Sequence, residues 1–251
     1  MRSANPALRP QVFLDAGSGQ LAPPGAQAMR IEGTVNKTAV LLVLVLLGAG
    51  FCWSRMDGPD GVSPLLGWGL GAALVGLVLA VLTVFRPQMA PVTAPLYALV
   101  EGVFVGAFSA LFEASYPGIV IQATALTFAT LGALLAAYRA GWVRATAKFR
   151  MGVVAATGGI FLLYLANLVA GLFGYAFGIL HDNGWMGIGL SLVIVTVAAL
   201  NLVLDFDLIE RSAEAGAPRY MEWYGAFALV VTLVWLYVEL LHLLAKLQSR
   251  D

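Results

Sequence analysis

Three carboxylates stand in stretches too apolar to belong in water: Glu101, Asp205 and Glu239. An acid inside a membrane-spanning stretch costs ~2.5–3.5 kcal/mol on insertion scales, so it faces a bundle interior or a water-filled cavity. No Lys or Arg lies deep in a predicted span to neutralise these acids. Two reliefs remain, a bound proton or a bound cation, and either one is a function. Asp205 and Glu239 are the primary proton- or cation-sensing candidates, with Glu101, Asp207, Asn201 and His242 as secondary ones.

Helical spacing separates Asp205 from Asp207. Two positions lie ~200° apart around a helix, so the two acids cannot face one cavity. Asn201 lies one turn before Asp205 and extends its face into a polar stripe, which leaves Asp207 for headgroup water or the basic loop. In the last apolar stretch Thr232, Trp235, Glu239, His242 and Lys246 follow i, i+3/i+4 steps along one face. His242 is one turn from Glu239, near enough to exchange protons with it. Lys246 reads as a side chain that snorkels to the interface. Glu101 abuts Gly102-Val-Phe-Val-Gly106, a small-xxx-small pattern that lets helices approach closely, and reads on its blander side as a protonated acid bonded across a tight helix pair. Asn167 reads as interhelical glue, and Gly174-x-x-x-Gly178 as packing.

These groups need elements to hold them, and composition names the medium. The 251 residues are 60% hydrophobic and 11% charged, with a mean hydropathy of +0.86. Soluble domains run nearer a quarter charged, so lipid must be the solvent. Seven stretches approach the ~20 apolar residues that a spanning helix needs: Thr38–Trp53, Leu65–Phe85, Pro91–Phe112, Gly118–Tyr138, Gly152–Leu180, Trp185–Leu204 and Trp223–Ala245. No alternating ten-residue segments suggest a barrel. The predicted fold is all-α, a seven-helix membrane bundle over residues 38–251, preceded by a polar, Pro/Gly/Ser-rich tail over 1–37 read as flexible and cytosolic.

Turn residues punctuate the spans, as in Asp57-Gly58-Pro59-Asp60-Gly61, Arg86-Pro87, Ser115-Tyr116-Pro117-Gly118 and His181-Asp182-Asn183-Gly184. With the N-terminus inside, eleven Lys/Arg fall on the cytosolic side against three on the other, so the positive-inside rule favours that orientation in a cell membrane. An odd span count then puts the C-terminus outside, unless the seventh span is re-entrant. Zero net charge gives no basic field for nucleic acid. The single cysteine, Cys52, excludes an internal disulfide and a cysteine metal site; it reads as a packed thiol. Two histidines, without HExxH or GxSxG, leave a hydrolase without its machinery, so no enzyme is expected.

Leu204-Asp-Phe-Asp-Leu-Ile209 resembles the end of the sixth helix of the Bax inhibitor motif family, the YccA-like bacterial membrane proteins. Trp235-Leu-Tyr-Val-Glu-Leu-Leu-His-Leu-Leu244 is similar to that family's last helix, and Arg2-Ser-Ala-Asn-Pro6 with Thr34-Val-Asn-Lys-Thr38 resembles a bacterial branch. The resemblance spans essentially the whole chain. It implies a seven-helix bundle with the last helix near its centre, in a bacterial inner membrane, and a pH-sensitive calcium leak or proton-coupled exchange. The implied gate is a pair of aspartates sharing a proton, whose positions fall on Asp205 and Glu239; Glu239 stands where the family usually has Asp. Ca²⁺ would be the bound or transported ion, with Asp205 and Glu239 as its ligands and no resident cofactor. The resemblance equally permits a non-transporting, stress-protective protein that modulates a membrane protease through its tail and the Arg139–Arg150 loop.

Whether the two acids meet depends on the last hairpin. A turn at Gly216 leaves Asp205 and Glu239 offset by ~18 Å along straight helices at 1.5 Å per residue. They meet only if part of Arg211–Glu222 does not lengthen the hairpin; otherwise Glu239 approaches Glu101. Both arrangements stay open.

Overall fold

The computed structural model describes residues 28–55, 63–174 and 184–249. Most of the tail, the 57–61 turn and His181 therefore lie outside the described residues. The described chain is all-α, with seven helices long and apolar enough to cross a membrane: α1 (Ile31–Trp53), α2 (Ser63–Phe85), α3 (Ala90–Ser115), α4 (Ile119–Arg139), α5 (Ala147–Leu172), α6 (Trp185–Glu214) and α7 (Met221–Gln248). A single 3₁₀ turn, Pro87–Met89, precedes α3.

The centre of the bundle is α7. It packs on α1, α3, α4 and α6, and leucine and valine side chains such as Leu236, Leu241 and Val230 are fully buried along it. In contrast α5 rests chiefly on α6 and turns most of its apolar surface outward. Small residues bring α1 and α3 together, as the glycine spacing predicts. A Cβ on Gly102 would sit 2.3 Å from the Val45 carbonyl oxygen, and one on Gly48 2.3 Å from that of Leu99. Cys52 is buried in this seam, its thiol 3.3 Å from the Val103 carbonyl.

Three helix ends differ from the apolar runs, each for a tertiary reason. The first helix starts at Ile31 and not at Thr38, so this span is a full 23 residues. Its polar first turns are held by Glu222, which accepts from the Arg30 backbone N–H at 3.0 Å and pairs with Lys37. The sixth helix continues to Glu214, so Asp205 lies within it rather than closing it. Its acids beyond Leu204 are met from neighbouring helices: Asp207 by Arg150, Glu210 by the Tyr138 hydroxyl. The fifth helix begins at a Thr146 cap and stops at Leu172, short of the expected Leu180, where Gly174 takes a φ of 80°.

A polar layer between α5, α6 and α7

Each polar face converges on this layer by helical spacing. On α5, Arg150, Thr157 and Tyr164 recur every seven residues, close to two turns, so they share a face. That face meets α6 and α7 through three ties. Arg150 donates to Asp207 at 3.0 Å, Thr157 accepts from the Asn201 amide at 2.8 Å, and the Tyr164 hydroxyl donates to Glu239 at 2.8 Å. These are polar closures on a helix that otherwise packs lightly.

Glu239 is 3% exposed, and two donors reach the same oxygen, Oε1: Tyr164, and Trp235 Nε1 at 3.1 Å. A cavity of about 80 Å³ adjoins it, lined by Tyr164, Asn167, Ser191, His242 and Lys246 among others. A water needs ~10–15 Å³ of such space and two to four polar partners, so the chamber suits a small water cluster. The His242 ring stands edge-on to Phe108 and Phe112, at 5.4 and 5.5 Å between centroids. The predicted seam of Thr232, Trp235, Glu239, His242 and Lys246 is therefore one wall of a polar layer.

Lys246 corrects two expectations. It does not snorkel: it is 8% exposed and donates to Ser191 Oγ at 2.9 Å and to the Gly187 carbonyl at 3.2 Å. Nor are the acids without a cation in the spans, because Lys246 acts electrostatically on Glu239. A long stem allows this choice; buried acceptors and an acid two turns away outcompete the interface.

Asp205 sits at another depth. Thr232 of α7 is its polar neighbour, and its Oδ2 is buried with no partner among the described residues. Thr232 precedes Glu239 by seven residues, ~10 Å along α7. The two acids therefore lie at levels about two turns apart along α7. Among the described residues no group of three or more His, Cys, Asp or Glu could hold a metal ion. Glu239 does not approach Glu101 either. Glu101 lies beside Tyr97, one turn back on its own helix, and against Gly76 of α2, whose missing Cβ leaves it room. Asp207 faces the basic end, as its spacing implies, between Arg150 and Arg211 at 3.0 and 2.9 Å.

A family model described as Bax inhibitor 1 like matches residues 5–249. The chain belongs to the Bax inhibitor 1 like family. No curated protein and no solved structure matches it. The described residues of this Bax inhibitor 1 like membrane protein include seven helices long and apolar enough to cross a membrane, and the α6 and α7 stretches that carry the resemblance are the ones that build the polar layer. Several polar residues escaped the apolar-run reading. Tyr164 and Thr157 were legible as a heptad stripe with Arg150. Glu222 was not, because its partners Arg30 and Lys37 lie almost the whole chain away.

Proposed function

We propose that this protein is a proton-regulated cation leak, with Ca²⁺ as its favoured ion, whose path follows the polar face of α7. Two carboxyls act in series at different depths: Asp205 at the level of Thr232, and Glu239 beside the chamber. Each is neutral when it carries a proton and attracts a cation when it does not. The observation that carries this reading is the tie between Tyr164 and Glu239. A cation reaching Glu239 must displace that hydroxyl, and doing so loosens the least tightly packed helix of the bundle. Waters in the chamber, together with the oxygens of Asn167 and Ser191, supply further oxygen contacts of the kind a hard cation takes.

Flux out of calcium-loaded vesicles tests the idea. Ca²⁺ flux rises from acidic to alkaline pH, because deprotonation creates the charge that draws the ion. Asp205→Asn and Glu239→Gln each reduce it at alkaline pH. Their effects multiply in the double variant, as expected of groups acting at separate levels. Tyr164→Phe removes the tie but keeps the acid, and raises flux. Unchanged flux in the double variant overturns the proposal.

A further inference from the structure

Both α1 and α4 lean on α7 yet scarcely touch each other, which leaves a lateral fissure between them. Two apolar cavities of about 330 and 350 Å³ lie along it and share Leu42. The second spans Ile31 to Leu42 on α1, ~17 Å at 1.5 Å per residue, close to half of a ~30 Å hydrocarbon core. It has the depth of one leaflet. At its end it shares Tyr138, Arg139 and Glu210 with a third cavity of about 520 Å³, of different character.

This third cavity is cationic. Arg139, Arg144 and Arg211 line it against Asp207 and Glu210. Both acids are already engaged, Asp207 by Arg150 and Arg211, Glu210 by Tyr138. Arg139 and Arg144 are exposed and make no ion pair with a carboxylate among the described residues. Gly141, at φ 74°, makes the turn over which the Arg144 guanidinium folds, with Nη2 3.3 Å from where a Cβ would stand. Beside it Trp142 is 85% exposed, the placement of a tryptophan at headgroup level.

We infer that this continuous track is a binding site for one anionic phospholipid. Its phosphate lies on Arg139 and Arg144, where planar guanidinium groups suit phosphate oxygens, and one acyl chain fills the fissure between α1 and α4. A free phosphate would use the rim and leave the fissure unexplained. A zwitterionic lipid would use the fissure and leave two unpaired arginines unexplained.

The test uses the full-length protein, purified in detergent, delipidated, and exposed to phosphatidylglycerol or phosphatidylcholine, with retained lipid counted by native mass spectrometry. Wild type retains one phosphatidylglycerol in at least tenfold preference to phosphatidylcholine. Arg139→Gln with Arg144→Gln, both surface positions, removes that preference. Leu135→Trp, which fills the fissure wall beside an intact rim, lowers phosphatidylglycerol retention at least tenfold. Unaltered helicity and a single elution peak confirm that both variants fold. Inorganic phosphate at millimolar concentration does not displace the lipid. Equal retention of the two lipids, wild-type retention in either variant, or displacement by inorganic phosphate overturns the proposal.

Discussion

Glu239 receives two donors on Oε1, from Tyr164 and Trp235, and feels Lys246 from two turns further along α7. The lysine is itself committed, to Ser191 and the Gly187 carbonyl. Removing its ammonium strands those two acceptors in a poorly hydrated layer and leaves Glu239 without its cation. A buried polar group that loses its partner costs about 1–3 kcal/mol. Lys246→Met, which keeps the apolar stem, is therefore expected to destabilise the protein by about that amount. Glu239→Gln in the same chain recovers part of the loss, because a neutral amide no longer needs the charge. Unfolding midpoints of the two single variants and the double variant give the coupling, expected at about 0.5–3 kcal/mol for groups in one network. Strict additivity would separate Lys246 from Glu239 and leave it as a helix anchor only. The stripe itself was readable from Thr232 to Lys246, since helical spacing puts those residues on one face. The role of Lys246 was not, because a terminal lysine snorkels or turns inward according to what the neighbouring helix offers.

At the scale of helices, hydropathy located every span but misjudged their ends, and the errors have one origin. Ile31–Lys37 and Asp205–Glu214 are polar enough to end an apolar run, yet remain helical because Glu222, Arg150 and Tyr138 satisfy them from distant parts of the chain. The register of the last hairpin was illegible for a related reason. Asp205 faces Thr232 and Ser191 faces Lys246, equal separations along α6 and α7, so the turn is centred near residues 218–219 and not at Gly216. Placing the turn at Gly216 puts Glu239 too deep, and even the true register leaves Asp205 and Glu239 two turns apart. Close approach of a helix at Gly102 was legible, its partner α1 was not, and the contact is demanding. Gly102→Ala would push a Cβ against the Val45 backbone, which cannot rotate away as a side chain end can. Overpacking of this kind costs about 1–3 kcal/mol. The expected result is a lower thermal midpoint, and a much smaller change for Gly132→Ala on α4, where nothing lies within 4 Å. Equal midpoints would mean that the α1–α3 contact opens freely.

Taken whole, the bundle is electrically polarised. Arg30, Lys37, Arg86, Arg139, Arg144, Lys148, Arg150, Arg211 and Arg219 belong to one end, where the start of α1 and the α4–α5 and α6–α7 turns gather. With Lys246 buried against Ser191, Arg55 is the exposed cation of the other end among the described residues. The asymmetry is thus sharper than sequence counting gives, and by the positive-inside rule we propose that the arginine-rich end faces the cytosol. Labelling of single cysteines with a membrane-impermeant thiol reagent checks this on intact cells, in a Cys52→Ala background. Arg55→Cys and Ser249→Cys react from outside, and Ala140→Cys reacts only after permeabilisation. The reverse pattern inverts the protein, and reaction of Ala140→Cys and Ser249→Cys from the same side removes the seven-span topology. Orientation also fixes which compartment the proposed gate senses. Glu239 lies 18 residues into the 28 of α7, past its midpoint and away from the arginine-rich end. Its chamber, which reaches Lys246 and Ser191, belongs to the same half. A change of external pH is therefore expected to alter Ca²⁺ flux sooner than the same change inside, and the lag between the two disappears in Glu239→Gln while Asp205→Asn retains it.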